Sequence, residues 1–215
     1  MSRSPQQSHL RFPLTNILGS PGNVRVLRAL VLHRPPQSVA QLGQEAGLTP
    51  PGTRLVLESL TREKIVTAHG SGRTLLYTLT PTHPLTGALI ALFEQEQRYW
   101  DTLLKAIRDA LQTRSASIDA AWLYGSVARG ADSVDSDIDI AVVVRSPEVA
   151  DQIREDMMPL EDRHRVRISV ATLTTREFSA LPENDPWWSS VVRDGRILKG
   201  PAPEQARRRL ARTGA

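Results

Sequence analysis

Apolar residues recur at helical spacing in three short runs near the start of the chain. The first run, residues 22–33, ends where two consecutive prolines interrupt it. The second begins at Ser38, which forms a capping-box pattern with Gln41, and it ends at Gly47. The third follows Thr49, a residue type that favours helix N-termini, and a proline occupies its first position. The pattern predicts three successive helices.

The next two segments have the composition of β-strands. Residues 64–69 and 73–79 contain β-branched and aromatic residues, and a Gly-Ser-Gly turn at 70–72 separates them. Turn residues between two such segments are typical of an antiparallel hairpin. We therefore expect a hairpin after the three helices.

A long helical stripe covers residues 85–112 with few helix breakers. Its apolar positions are Leu89, Leu92, Phe93, Trp100, Leu103, Leu104, Ile107 and Leu111. A stripe of this length needs an apolar partner surface. Two interpretations remain open, because the first half could pair with the same helix of a second subunit in a homodimer, or the whole helix could pack on its own chain.

Two strands separated by a polar segment lie at the centre of the second half. An apolar strand leads into Gly125 and Ser126, and a second strand begins with Asp137 and Asp139 before it becomes wholly apolar. Because side chains alternate along a strand, the two aspartates point the same way, with α-carbons roughly 7 Å apart. Such carboxylates repel each other unless a cation lies between them, and hard oxygen ligands suit Mg²⁺ that also carries phosphates.

The Gly125-Ser126 turn supplies groups that complement such a metal ion. Backbone N–H groups and a small hydroxyl at a turn that leads into a helix approach a triphosphate closely. The two halves together predict one site for a metal-bound nucleotide. The alternative is an ordinary turn followed by a solvated acidic loop at residues 132–139, although loop acids rarely continue in phase into a buried strand.

The remaining pattern predicts a helix over residues 148–160 and a strand over 165–172. The arginine-rich end, residues 205–212, has the character of a mobile basic tail that adds nonspecific affinity for nucleic acid.

Composition restricts the class of protein. The chain of 215 residues is long enough for one or two domains and contains no cysteine, which fits a reducing compartment. No apolar run approaches the length of a membrane span and the first residues are polar, so we expect a cytoplasmic protein. Residues 1–115 carry 13 Lys and Arg against 7 Asp and Glu, whereas residues 116–215 carry 14 against 16. The basic first half suggests contact with a polyanion.

The pattern Gly125-Ser126, ten residues, then Asp137-x-Asp139 at the head of an apolar strand resembles the DNA polymerase β-like nucleotidyltransferase superfamily in its minimal form. The resemblance implies a mixed-sheet domain that uses Mg²⁺ to transfer a nucleotide from a nucleoside triphosphate to an acceptor hydroxyl. Gly125 and Ser126 would bind the phosphates, and the two aspartates would hold the metal ion and be catalytic. Arg129 is a further candidate for a phosphate contact, although a solvated arginine is a near-equal alternative.

The resemblance also implies a third carboxylate on a later strand, which completes the metal site or deprotonates the acceptor. Alignment through the segment 173–178 places that position at Ser169. A hydroxyl is a weak neutral ligand and cannot act as a base at neutral pH, so activity is expected to be reduced, redirected or absent.

Three helices followed by a hairpin resemble a winged helix-turn-helix domain of the bacterial regulator type over roughly residues 15–82. In that family the third helix enters the major groove of double-stranded DNA. Thr53 and Arg54 are then candidates for base contacts, and Arg73 at the hairpin tip is a candidate for a phosphate or a narrow minor groove. The alternative is a winged helix used for dimer or protein contact.

The sequence therefore predicts an α+β chain of four parts. These are a winged helix-turn-helix domain at 12–84, a connecting helix at 85–114, a mixed-sheet nucleotidyltransferase domain at 115–200 and a basic tail at 201–215. The favoured function is a magnesium-dependent nucleotidyltransferase with a DNA-binding domain. The alternative is a DNA-binding transcriptional regulator whose second domain is inactive or only senses nucleotide. The resemblance extends to antitoxins that modify a toxin, which implies a toxin-type protein as a possible partner.

Overall fold

The computed structural model describes residues 8–72, 75–182 and 184–213. The chain divides into two compact units, Met1–Tyr99 and Trp100–Ala215. The division lies within the long helix and not at its ends, because the two halves of that helix bury their apolar residues in different cores.

Helices form most of the first unit, and α2, α3 and α4 begin at capping residues. They are α1 Leu14–Ile17, α2 Pro21–Leu32, α3 Val39–Ala46 and α4 Pro50–Arg62. The side chain of Ser20 accepts a hydrogen bond from a backbone N–H of α2, and Ser38 and Gln41 form the predicted capping box on α3. Thr49 caps α4, and Gly47 ends α3 in the left-handed conformation. The three helices predicted from the spacing are confirmed.

A small antiparallel sheet completes the first unit. Its strands are β1 Gln37–Ser38, β2 Val66–His69 and β3 Leu76–Leu79, in the order β1-β3-β2. The predicted pairing of the last two strands is confirmed, but β2 begins two residues late because Lys64 adopts a positive φ of 59° that breaks the extended chain. Strand β1 was not predicted, since two residues carry no periodic signal. Arg73, the predicted hairpin-tip contact, lies outside the described residues.

Helix α5, Thr86–Thr113, confirms the predicted long helix. Leu89 and Phe93 are buried with the helices of the first unit, while Leu103 and Ile107 are buried in the core of the second. The helix therefore packs on its own chain over most of its stripe. Leu92 is 55% exposed, and its pairing with a second subunit stays a prediction. Among the described residues, no helix combines the length and apolarity that crossing a membrane requires.

The second unit is built on a four-stranded mixed sheet. Its elements are β4 Ile118–Tyr124, α6 Gly125–Arg129, β5 Ile138–Val144, α7 Glu148–His164, β6 Ile168–Thr174, α8 Thr175–Ala180, α9 Pro186–Asp194, β7 Arg196–Lys199 and α10 Pro203–Thr213. The strand order is β6-β5-β4-β7, with β5 and β6 parallel and the other pairs antiparallel. The predicted mixed α+β architecture is confirmed for this unit.

Both faces of the sheet are covered, which explains why its central strands are almost wholly apolar. Ile138, Ile140 and Val142 pack in one cluster with residues of α5 and α7. Ala141 and Val143 point the opposite way and pack in a second cluster with residues of α8, α9 and α10. The candidate site lies on this second face, at the end of the sheet where β4 stops and β5 begins.

The expected basic tail is wrong, because residues 203–213 form helix α10. Ala206 and Leu210, one turn apart, are buried against the sheet. Arg207 donates a hydrogen bond to the carbonyl of Leu181, and its guanidinium lies over the Trp188 ring. Ala206 and Leu210 among four arginines are a weak sequence signal. They are nevertheless enough to pack the helix against the sheet.

An ion pair fixes the turn helix α6 against α9. The Asp194 side chain is 5% exposed and accepts a hydrogen bond of 2.6 Å from Arg129 Nη1, besides the contacts with Arg193. Hydrogen bonds from Arg193, followed by those from Arg129, lower the pKa of Asp194 to about 2, against the opposing effect of burial.

Because the folded pKa of Asp194 lies below that of an unfolded aspartate, about 3.9, its ionisation stabilises the fold above pH 4. That stabilisation is lost as the pH falls towards 2. Asp194→Asn should therefore lower the melting temperature at pH 7, and the difference from wild type should shrink between pH 4 and pH 2. Circular dichroism melts across this range provide the measurement. Asp151→Asn, at an aspartate whose side chain is 83% exposed, is the control, and parallel curves for wild type and Asp194→Asn would refute the assignment.

Candidate active site

Three side chains form a row across the end of the sheet. Asp139 on β5 is in register with Tyr124 on β4 and with Ser169 on β6. Paired residues of neighbouring strands project from the same face, so the three side chains are neighbours. The prediction that Ser169 shares the face of Asp139 is therefore confirmed.

A second row lies two residues earlier, just before the strands begin. The N–H of Ile138 donates a 2.8 Å hydrogen bond to the carbonyl of Arg167, which places Asp137 and Arg167 next to each other. Arg167 Nε lies 2.7 Å from Asp137 Oδ1, and Arg167 Nη2 donates to the carbonyl of Asp135. The site therefore combines two carboxylates with one guanidinium.

The Gly125-Ser126 turn lies directly against Asp139. Gly125 has a φ of 77°, and a Cβ on it would come within 2.2 Å of Asp139 Oδ2. Only glycine combines this conformation with this space. Ser126, the next residue, is partly exposed beside the carboxylate. The turn and the acidic strand, twelve residues apart in sequence, thus form one location, as the sequence predicted.

The electrostatics of this location favour a cation. Burial, and then the charge of Asp137, raise the pKa of Asp139, while the Arg129 guanidinium opposes them. Burial also raises the pKa of the Tyr124 hydroxyl, which accepts a 3.0 Å hydrogen bond from Trp187 Nε1 and faces the charge of Asp139. Additional negative charge is therefore unfavourable here, and a positive ion is favourable.

The carboxylates fit a magnesium ion in their chemistry. Asp137 Oδ1 is buried and has no aligned hydrogen-bond donor, so its lone pairs remain open apart from the ion pair with Arg167. Within residues 8–72, 75–182 and 184–213, no group of three or more acids, histidines or cysteines is placed to hold a metal. Two protein carboxylates are available, and further ligands would have to come from phosphates and water. Glu161 does not join the two aspartates in such a group, and its Oε1 accepts a hydrogen bond from the N–H of Ile168.

Arg129 is close enough to affect Asp139, but its guanidinium donates to Asp194. At least one of its N–H groups therefore orients α6. Its predicted contact with a phosphate stays a prediction.

The prediction that Thr53 contacts a base is wrong. This residue is fully buried, and its hydroxyl donates a hydrogen bond to the carbonyl of Thr49. The reason is its position on the helix, because it lies one and two turns before Leu57 and Leu60 on the buried face of α4. Arg54, the next residue, points outward and is exposed.

Two residues of the site carry no role in the sequence reasoning. Tyr124 could have been found, because it directly precedes the glycine of the motif and a hairpin register would pair it with the acidic strand. Arg167 lies two residues before Ser169 and so shares its face, but its ion pair with Asp137 depends on a side-chain conformation that no spacing encodes. Trp187 packs edge-on against Tyr124 at 6.0 Å between ring centroids, so its ring supports the tyrosine of the site.

Comparison with solved structures gives low similarity. A crystal structure of a toxin–antitoxin with AMP-PNP has 19% identity and a TM-score of 0.37, with 52% of this chain and 86% of that chain covered. A mutant of the toxin–antitoxin MntA-HpeT has 18% identity and a TM-score of 0.36, with 51% and 82% covered. At these values the similarity carries no conclusion about activity or partner. No curated protein matches the sequence.

The family described as "Polymerase beta, Nucleotidyltransferase" matches residues 105–181. This range includes the Gly125-Ser126 turn, both aspartates and Ser169. Residues 105–181 therefore form a nucleotidyltransferase domain of the polymerase β type.

Proposed function

We propose that the chain is a magnesium-dependent nucleotidyltransferase that moves a nucleotide from a nucleoside triphosphate to an acceptor hydroxyl. The observation that carries the proposal is the close approach of Asp139 to Gly125, which joins the two halves of the motif. Asp137 and Asp139 would hold the metal ion, and Ser126 with the backbone N–H groups of the turn would bind phosphate oxygens. When bound, magnesium supplies Lewis-acid chemistry that offsets the negative charge of the phosphates.

The residues of the chain bind and orient in this reaction. The acceptor oxygen forms a bond to the α-phosphorus, the bond from that phosphorus to the bridging oxygen breaks, and pyrophosphate leaves with the electron pair. The hydroxyl proton passes to water or buffer, because Ser169 has no basic group at neutral pH. Asp139 could accept it only while free of metal. We therefore expect slow transfer.

We also propose that the first unit is a winged-helix domain that binds double-stranded DNA. Three helices and a three-stranded antiparallel sheet support it, as does the excess of basic residues in the first half. Arg54, exposed near the start of α4, is the candidate contact. A homodimer through α5 would place two such helices on one duplex.

A second candidate is a DNA-binding regulator that senses nucleotide without transferring it. Two observations favour it, namely the serine in register with Asp139 and the arginine against Asp137. Both lower the negative charge that a catalytic metal site needs.

The candidate acceptors are a protein, RNA and a small molecule. The test incubates the purified chain and Mg²⁺ with each of the four α-labelled nucleoside triphosphates. The acceptors are the chain itself, the product of a neighbouring gene as a toxin-type partner, and RNA. Label on one of these acceptors supports the enzyme, whereas binding of nucleotide without transfer supports the sensor.

The first prediction concerns the metal ligands. Nucleotide with Mg²⁺ at a hundred times its dissociation constant should stabilise the wild type by about 2.7 kcal/mol, or roughly 5–10 °C. The double variant Asp137→Asn with Asp139→Asn should lose this shift, because neutral amides cannot replace the charge of the carboxylates. Thermal melts with and without ligand give the result. Asp132→Asn with Asp135→Asn, in the same loop, should keep the shift, and an equal shift in both double variants would remove the aspartates from the site.

The second prediction concerns the missing acid. Ser169→Asp restores a carboxylate in register with Asp139. If the wild type transfers slowly for want of a base, the rate should rise roughly a hundredfold to ten-thousandfold. Single-turnover transfer of label measures this rate, with Ser179→Asp on α8 as the control. A rapid wild type that slows in Ser169→Asp would show that another residue is the base.

The third prediction concerns DNA. Binding of the full chain to duplex should weaken steeply with salt, and Arg54→Ala should weaken it further and reduce the salt slope by about 1 if this arginine contacts a phosphate. Fluorescence anisotropy over a salt series gives both quantities. Arg98→Ala, the same charge change on α5, is the comparison. An absence of duplex binding at low salt would favour a protein-contact role for the first unit.

A further inference from the structure

Arg167 is a charged residue of the site to which the proposed reaction assigns no role. Its Nε lies 2.7 Å from Asp137 Oδ1, and its Nη2 donates a 2.6 Å hydrogen bond to the carbonyl of Asp135. The side chain is nevertheless 68% exposed. A guanidinium that solvent can reach thus lies against one of the two carboxylates proposed to hold magnesium.

This pairing changes the charge that a free metal ion meets. Asp137 and Asp139 supply two negative charges, and Arg167 offsets one of them. Ser169 adds none, and no third acid joins the pair in the part of the chain that the structure describes. A divalent ion arriving alone meets a repelling cation and a reduced negative charge. Free metal should therefore bind weakly.

A metal ion that arrives with a triphosphate meets a different balance. The triphosphate brings its own negative charge, and a guanidinium forms strong paired hydrogen bonds with phosphate oxygens. The contact of Arg167 with Asp137 is not aligned as a hydrogen bond, so Oδ1 keeps its lone pairs for a metal ion. The hydrogen bond to Asp135 would keep the guanidinium beside the site after it leaves Asp137.

We propose that Arg167 is an internal counter-cation that makes metal binding depend on nucleotide. It neutralises Asp137 in the free protein and passes to the triphosphate when a metal ion takes its place. One divalent ion then binds per chain, together with the nucleotide. This inference rests on the proposed function in one respect, since it takes a metal-bound triphosphate as the ligand.

The test measures binding of Mn²⁺ to the full chain by electron paramagnetic resonance. Arg167→Gln removes the charge, and Arg163→Gln, at an exposed arginine in the last turn of α7, is the matched control. Removing a positive charge about 5 Å from a divalent ion in water-like surroundings should tighten binding of free Mn²⁺ roughly tenfold. The same variant should bind Mn²⁺ with an α,β-methylene nucleoside triphosphate roughly tenfold more weakly. Arg167→Lys keeps the charge and should leave free Mn²⁺ binding near the wild-type value.

The inference is supported if Arg167→Gln binds free Mn²⁺ more tightly and Mn²⁺ with nucleotide more weakly, while Arg163→Gln changes neither affinity. The wild-type chain should also bind one Mn²⁺. Free Mn²⁺ that binds no tighter to Arg167→Gln than to the control overturns it and leaves the proposed function intact. Binding of two Mn²⁺ per wild-type chain in the presence of nucleotide would also overturn the inference and leave the proposed function intact. A wild type that binds no metal-bound nucleotide contradicts both proposals. Because the Arg167 side chain is mostly exposed, an unchanged melting temperature should accompany each variant.

Discussion

The carboxylate of Asp139 occupies the space that a side chain at residue 125 would need. This exclusion requires glycine at residue 125, because the turn can approach the acid only through a residue that has no Cβ and tolerates a positive φ. The approach in turn requires β4 and β5 to keep their register, since a slip of one residue would turn Asp139 into the core. The apolar residues on both faces of β5 hold that register. Burial of the strand and the position of the acid at its end therefore depend on the same register.

Charge at the site is balanced over residues that are distant in sequence. Asp139 is raised in pKa by its burial and by Asp137, while Arg129 and Arg167 each oppose the accumulation of negative charge. Both arginines have second partners, Asp194 and the carbonyl of Asp135. The two acids are thus kept close in an arrangement in which a guanidinium lies against Asp137.

The elements that depend on a short-range signal in the sequence were predicted correctly. Caps at Ser38 and Thr49 and the alternation around Asp137 and Asp139 each act within four residues, and the structure has the corresponding elements. The elements and contacts that depend on packing against a distant part of the chain were not predicted correctly. Thr53 was predicted to contact DNA from its place near the start of α4, but it faces the core. Helix α10 was missed because its few apolar residues become buried only against the sheet. The ion pair of Arg167 depends on which neighbouring strand it joins, and no local pattern contains that information.

Helix α10 has a consequence for the order in which the second unit can form. Ala206 and Leu210 cover the same cluster that contains Trp122 and Trp188, and the Trp122 indole donates to the carbonyl of Pro201. During synthesis this cluster lacks its cover by α10 until residue 210 has left the ribosome, after the Gly125-Ser126 turn and both aspartates have emerged. A fragment that stops at residue 200 would keep the complete motif and expose the apolar side of the sheet that supports it.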